Sequence, residues 1–418
     1  MSKNRDIKAL NDLNEVYNSP AKKEEKKEKK QERQVLTVDV AEVELSRLNT
    51  EVRFNDLTRR IDVIDHGNTL NGSINPDIAV VDYIVTNYKE RYKYCTPDYV
   101  NGVIRLLADR HRYNPVIEKM KPYKKYADDG NDYIKELGTD ILYLNESDTL
   151  SFTYLRKFMM QVMAMIENDP RNPWGADGML VIVCPDQGIG KSLFAQRMAL
   201  GFHSEINFSA YMDETDLYSK INGALINEFS ELEHSLRPKY VELMKRIIVS
   251  PHDTYRVKFG RQMNTYPRKS CFIGTCNTQN FLYDLTGNRR FWCIKAEKPF
   301  NIERLSNYDD DIFLKAYAQA KKELELNGMQ SFRLTEQERE LTNKRNLFFT
   351  AKSPDLSNLI LSLLEYVDTS HFTIDDLKNQ SGDLASVQSS IIGRELNRLP
   401  NITQKRTSKG RFYCVEVV

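Results

Sequence analysis

The sequence predicts an α/β fold around a mainly parallel sheet, with a small mixed α/β module before it and a unit of three helices and a hairpin after it. Two observations carry this. Between Gly178 and Ile294 the apolar runs "MLVIVC", "GALINEF", "SCFIGTC" and "RFWCIK" alternate with the helical segments "SLFAQRMAL" and "YVELMKRIIV". Strand and helix in alternation are what a parallel sheet with crossover helices requires. Beyond Arg345, "LSNLILSLLEYV", "TIDDLKNQ" and "SVQSSIIGRELNRL" read as helices, and "ITQKRTSKGRFYCVEVV" as two strands about a Ser-Lys-Gly turn. Three helices and a basic hairpin predict a winged helix.

The chain has 418 residues, too many for one ordinary core. The expected division is a flexible charged segment over 1–50, the mixed module over 51–150, the central unit over 151–345 and the winged helix over 346–418. In the first of these, "KKEEKKEKKQERQ" mixes both charges without apolar periodicity, the composition of a solvated linker or frayed helix. The second opens with "VRFNDLTRRIDVID", which alternates like strands. It continues through "PDIAVVDYIVTNYKERY" and "TPDYVNGVIRLLADRH", which carry helical spacing behind Pro and Asp start signals. "LSFTYLRKFMMQVMAMIEND" follows as a helix whose methionines suit core filling.

Lys and Arg number 60 against 59 Asp and Glu, so any basic surface must be local. The six cysteines form no C-x-x-C pair and have no histidine at ligand spacing, which speaks against zinc and disulfides. No apolar run reaches membrane-spanning length and the start lacks the apolar core of a signal peptide, so the expectation is a cytoplasmic protein with no membrane partner.

The chemistry is expected at "PDQGIGKS", which joins the strand "MLVIVC" to a helix, the setting of a P-loop. The segment Gln187, Gly188, Ile189, Gly190, Lys191, Ser192 and Leu193 is the expected nucleotide cradle. The glycines free backbone N–H groups to face phosphate, the helix N-terminus adds its positive end, Lys191 reaches the β- and γ-phosphates, and Ser192 holds Mg2+. Pro185 stands where the motif has its first glycine, a position that shapes the turn out of the strand. The plainer alternative is a glycine-rich turn with a solvated lysine.

"GALINEFSELE" offers carboxylates at Glu228 and Glu231, one for the metal and one to orient the nucleophile, with the division of labour left open by the spacing. Asn277 ends "CFIGTCN" as a neutral donor for a γ-phosphate or water, or as a turn residue. Arg289 and Arg290 in "LTGNRRFW" either bind acids of their own chain or project across a subunit boundary onto a transferring phosphoryl group. The second role accelerates hydrolysis by about 10³ to 10⁵. "TYRVKFGRQMNTYPRKS" interleaves Arg256, Lys258, Arg261, Arg268 and Lys269 with Tyr255, Phe259 and Tyr266. Such a hairpin grips a phosphate backbone and stacks on bases, unless its charges only solubilise an edge. In the C-terminal unit, Gln388, Ser389 and Arg394 on the third helix and Lys405, Arg406, Lys409 and Arg411 on the wing suit duplex DNA, with protein contact as the alternative.

Taken together, "HRYNPVIEKM", "QGIGKS", "EFSELE", "DTYRVKFGR", "FIGTCN" and "TGNRRFW" resemble the virulence-associated protein E family, AAA+-like helicase ATPases of phages and pathogenicity islands related to superfamily-three helicases. The resemblance spans roughly Phe54 to Glu297. It implies Gly188, Gly190, Lys191 and Ser192 as the nucleotide loop, Glu228 as the metal-side acid with Glu231 beside it, Asn277 as sensor and Arg289 or Arg290 as finger. It also implies that Lys258 and Arg261 track one DNA strand, with Lys245 as a basic residue ahead of them. Pro185 and "KPYKKYADDG" depart from the family's pattern. No primase-like acidic cluster is evident, so a primase is expected as a separate protein or from the host.

The expected function is an ATP- and Mg2+-dependent DNA helicase and replication initiator of a phage or mobile element, a homo-oligomeric ring of hexameric size that acts on single-stranded and origin duplex DNA. The alternative is an initiator or regulator that uses ATP only to assemble. A P-loop kinase is a third reading, for which a basic hairpin and a winged helix have little use.

Overall fold

A computed structural model describes residues 33–65, 76–207, 214–236, 238–256, 263–282, 288–350, 356–385, 387–399, 401–407 and 410–415. Among the described residues the first helix, α1 (Val38–Arg47), starts at Thr37, whose side chain accepts the Val40 N–H. From sequence these residues belong to the charged N-terminal segment. The structure instead seats Ala41 and Leu45 against Val52, Val100 and Ile104, so α1 is a wall of the module. Strands β1 (Thr50–Asn55) and β2 (Arg60–Asp65) form an antiparallel hairpin. Helices α2 (Pro76–Tyr88) and α3 (Pro97–Arg110) cover it, and a short β3 (Arg112–Tyr113) pairs in parallel with β1.

After β3 the chain leaves this core. Val116, Met120, Ile134, Leu137 and Ile141 are buried in the central unit's core, so packing divides the two units near residue 115 rather than at 150. Side chains of the hairpin bridge back: Leu57 is buried in the central unit's core, Arg53 pairs with Glu118 at 3.4 Å, and Arg59, in the β1–β2 turn with a φ of 57°, donates to the Pro267 carbonyl at 2.8 Å and lies over the Tyr266 ring at 4.4 Å.

The central unit opens with α4 (Thr149–Ile166), capped by Asp148, whose Met159, Met160, Met163 and Met165 fill the core. Five parallel strands follow: β4 (Met179–Val183), β5 (His203–Glu205), β6 (Ile226–Phe229), and further on β9 (Cys271–Cys276) and β10 (Phe291–Lys295). Between them lie α5 (Lys191–Met198), α6 (Glu214–Ile221), α7 (Leu232–Ser235), α8 (Pro238–Val249) and the antiparallel hairpin β7 (His252–Tyr255) and β8 (Asn264–Pro267). The sheet order is β10-β4-β9-β6-β5, so β4 and β9 sit inside and are buried along their whole length, which is why they read as continuous apolar runs. One face packs on α4 and α5 through Leu180, Ile182, Phe158 and Phe194; the other takes Leu232, Met244 and Ile248. Helices α9 (Ile312–Asn327) and α10 (Glu336–Asn346) complete the unit.

The C-terminal unit comprises α11 (Leu356–Leu363), α12 (Ile374–Gln380), a short turn of helix at Gly382–Ala385, α13 (Ser389–Leu396) and the antiparallel pair β11 (Ile402–Thr407) and β12 (Gly410–Val415). Ile360, Phe372, Leu377, Leu384, Ile392, Leu396 and Tyr413 form its own core. Among the described residues no helix is long and apolar enough to cross a membrane.

Candidate functional site

In an open parallel sheet, ligands bind beyond the carboxyl ends of the strands. There β4 gives way to the loop that the sequence singles out, and the Cys184 N–H still donates to the Cys276 carbonyl, tying the loop's start to β9. Pro185 is exposed and precedes the two residues that shape the loop. Gly188 and Gly190 both have left-handed backbones, with φ of 73° and 101°. At Gly190 a Cβ would also fall 2.6 Å from Ile302 Cδ1, the movable end of an exposed side chain, so it is the backbone that demands glycine. Gly190 is the cap of α5, whose first residues are Lys191 and Ser192. Gln187 is exposed, Ile189 is buried and Leu193 packs against the core.

Lys191 is 8% exposed, and its ammonium donates to the carbonyls of Cys184 (2.8 Å), Asp186 (3.0 Å) and Cys276 (3.4 Å) and to Asn277 Oδ1 (2.6 Å). Burial pushes its pKa below the ordinary lysine value, opposed by Cys184, Cys276, Glu233 and Asp186. The lysine of the loop thus already touches the end of β9, 86 residues on.

Glu228 is the penultimate residue of β6, the strand beside β9, and is buried, 1% exposed. Its Oε1 accepts from Ser192 Oγ at 2.6 Å and Thr275 Oγ1 at 3.1 Å, and its Oε2 lies 2.9 Å from His203 Nε2 on β5. Burial works to raise its pKa, but the hydrogen bonds from His203, Ser192 and Thr275 outweigh this and hold the carboxyl below its usual range. His203 and Thr275 have no sequence signal: each is visible only once β5 and β9 flank β6.

Glu231 and Glu233 differ. Glu231 is exposed at the start of α7 with a left-handed backbone, φ 50° and ψ 54°. Glu233, two residues on and passed over in the sequence reading, turns inward, and its Oε1 accepts the Asn277 N–H at 3.2 Å. Leu232 between them is fully buried over Gly274, where any Cβ would lie 2.7 Å from the leucine. Four residues from three motifs, Lys191, Ser192, Glu228 and Asn277, therefore meet at the ends of three adjacent strands.

Arg289 and Arg290 lie elsewhere. They precede β10, which runs parallel to β4 with Phe291 opposite Met179 and Lys295 opposite Val183. The arginines thus sit at the amino ends of the strands and the loop at the carboxyl ends, separated by about 13 Å of strand at 3.3 Å per residue. Together with Arg333, Trp174 and Asp177 they line a cavity of about 500 Å³. Neither serves the loop of its own chain.

The basic hairpin divides. Arg256 is exposed at the end of β7, while Lys258, Phe259 and Arg261 lie outside the described residues. Arg268, expected among the nucleic-acid-facing cations, is instead fully buried: its guanidinium pairs with Asp253 and donates to the Ile247 carbonyl. Lys269 is likewise turned inward, donating to the Ile166 carbonyl at 2.8 Å. Lys245 on α8 is buried as well, 3.2 Å from Glu242. At the C-terminus Lys405, Arg406 and Arg411 are exposed, and Lys409 lies outside the described residues.

A magnesium ion fits the donors present. Ser192 and Glu228 bring two oxygen ligands together at 2.6 Å, the partial set an ion that keeps its waters and takes phosphate oxygens requires. Among the described residues no group of three or more His, Cys, Asp or Glu is placed to hold a metal unaided.

The architecture is therefore mixed α/β with a central parallel sheet, carrying a glycine loop, a lysine and a buried acid at its carboxyl edge. Residues 123–349, more than half of the chain, match the family model of the virulence-associated protein E-like domain, and the chain belongs to that family. No curated protein matches it. Among solved structures, an apo form of the NrS-1 C-terminal region is 10% identical with a TM-score of 0.41, covering 90% of this chain and 98% of that one. The A form of the same region is 11% identical, with a TM-score of 0.40 and coverage of 90% and 99%. A further A-form structure gives 13%, 0.39, 90% and 98%.

Proposed function

We propose that this chain is an ATP-driven DNA helicase of a phage or mobile-element replication system, working as a ring of identical subunits. The observation that carries the reading is the convergence of Lys191, Ser192, Glu228 and Asn277 at the edge of three parallel strands. In this reading the loop 187–193 cradles the triphosphate and Lys191 exchanges its carbonyl partners for the β- and γ-phosphates. Ser192 and Glu228 hold Mg2+, which neutralises charge developing on the phosphates. His203 and Thr275 fix the Glu228 carboxylate so that one oxygen faces the metal. Asn277, released from Lys191, donates to the terminal phosphate.

Because Arg289 and Arg290 stand at the far end of β10, any phosphate they reach belongs to a second copy. That geometry supports a ring, expected to be a hexamer, with ATP between subunits. The residues 256–261 of the hairpin, with Lys258 and Arg261 foremost, are the proposed grip on single-stranded DNA. In the C-terminal unit Arg406 stands directly opposite Arg411 in the β11–β12 register, a like-charged pair that disfavours pairing until an anion sits across it. With Lys405, and with Lys409 from the intervening turn, this supports a winged helix whose wing lies on duplex phosphates.

Strand displacement on a forked duplex tests the proposal. Lys191→Ala abolishes both ATP turnover and unwinding, whereas Lys258→Ala abolishes unwinding and leaves basal turnover in place. ATP turnover without displacement of any substrate by the unmodified protein contradicts the motor and favours an initiator that uses ATP only to assemble.

A further inference from the structure

The pair of acids in "EFSELE" expected to share the work is Glu228 and Glu231, yet the structure turns a third one inward. Glu233 reaches the end of β9, where its Oε1 accepts the Asn277 N–H at 3.2 Å. Its other oxygen, Oε2, is buried and, among the described residues, has no hydrogen-bond partner. A buried carboxylate oxygen without a partner is costly, and native structures retain one where a ligand or water completes it. The surroundings connect it to the proposed phosphate site: Asn277, whose N–H Glu233 accepts, also takes the Lys191 ammonium on its Oδ1 at 2.6 Å, and Glu233 acts electrostatically on that lysine. Burial, and then the hydrogen bond and charge of Glu233, push up the pKa of the Cys276 thiol beside it.

The local sequence explains the placement. Glu231 takes the left-handed backbone that turns the chain out of β6, and its side chain is left exposed. Leu232 then drops onto Gly274, the one position of β9 where the missing side chain leaves room for it. With Leu232 fixed, the next residue falls beside the last peptide of β9. Alternation of roles therefore runs Glu228 on the metal side, Glu231 out, Glu233 in.

Resting on the nucleotide reading above, we infer that Glu233, and not Glu231, is the carboxylate that receives the proton of the attacking water in ATP hydrolysis. The water's oxygen bonds to the terminal phosphorus. The bond from that phosphorus to the bridging oxygen breaks, and its electron pair stays on ADP. The water's proton passes to Glu233 Oε2 and leaves with the released phosphate. The Asn277 N–H holds the other carboxylate oxygen, so the same residue that offers its side chain to the phosphate also aims the base.

The test compares Glu233→Gln, Glu231→Gln and Lys191→Ala in the full chain, reading steady-state turnover, the affinity for a fluorescent ATP analogue with Mg2+, and the nucleotide retained after gel filtration. Glu233→Gln keeps an acceptor for the Asn277 N–H. Its kcat is expected to fall at least about 100-fold, the scale of losing a general base. Its affinity is expected within about threefold of the unmodified protein, and the nucleotide it retains is ATP rather than ADP. Glu231→Gln is expected to turn over within about threefold of normal. Turnover that survives Glu233→Gln, or falls with Glu231→Gln instead, overturns the inference, as does loss of ATP binding in Glu233→Gln, which marks a structural role. An unmodified protein that neither binds nor hydrolyses ATP overturns the nucleotide reading itself, and this inference with it.

Discussion

Hairpins β7–β8 and β11–β12 are both short, antiparallel and rich in arginine and lysine, but they spend those charges in opposite ways. At the root of β7–β8, Arg268 is buried against Asp253 and the Ile247 carbonyl, and Arg59 arrives from the N-terminal module to stack on Tyr266. At β11–β12, Lys405, Arg406 and Arg411 are exposed, and among the described residues none has an acidic partner. Cations that look alike along the chain thus divide into those that build a hairpin and those left for a partner. A guanidinium that is fully buried and held by a carboxylate and a carbonyl is out of reach of a phosphate.

The sharpest way to break this distinction is at Arg268. Arg268→Ala leaves the Asp253 carboxylate buried without its cation, a loss of about 3 to 5 kcal/mol, read as a lowered midpoint in thermal unfolding of the central unit. A melting curve unchanged by that substitution would place Arg268 among the accessible cations after all.

Replacing Lys405, Arg406 and Arg411 together by alanine should do the reverse. Stability stays within about 0.5 kcal/mol, as for exposed positions, while the slope of log affinity for duplex DNA against log salt flattens by about 0.9 for each cation that touches a phosphate. A salt slope that does not move removes the C-terminal unit from the DNA.

The smallest effect concerns an ion pair between these extremes. Burial works to raise the pKa of Asp148, the cap of α4, but hydrogen bonds from Arg345 and Ser151 outweigh it and hold the carboxyl below its usual value. A folded-state pKa below the unfolded one means the contribution is present above the unfolded value, near 4, and is lost as pH falls through the folded value. Asp148→Asn should therefore melt with less acid sensitivity below about pH 4 than the unmodified protein. Equal sensitivity in the two would show that other carboxylates set the acid limit.

What the sequence makes legible follows from locality. Strands β4 and β9 are buried on both faces and announce themselves as unbroken apolar runs, and the glycine loop lies within a few residues of the lysine it serves. The α1 helix is hidden because its polar face blends into the charged run ahead of it, and only its packing on β1 and α3 reveals it. His203 and Thr275 come to Glu228 through sheet order, at separations of 25 and 47 residues, and Arg268 finds Asp253 across a hairpin. Glu233 could have been suspected from its place in "SELE", but which of two glutamates turns inward depends on a glycine in another strand.

The central claim is that Lys191 gives up its present oxygen partners for the phosphates of a nucleotide. Thermal unfolding with and without Mg2+ and ATP tests it most directly. At a hundredfold excess over the dissociation constant, binding stabilises the protein by about 2.7 kcal/mol, a clear upward shift that Lys191→Ala should lose. An unfolding midpoint that ATP leaves unmoved in the unmodified protein, or moves equally in Lys191→Ala, would contradict the claim.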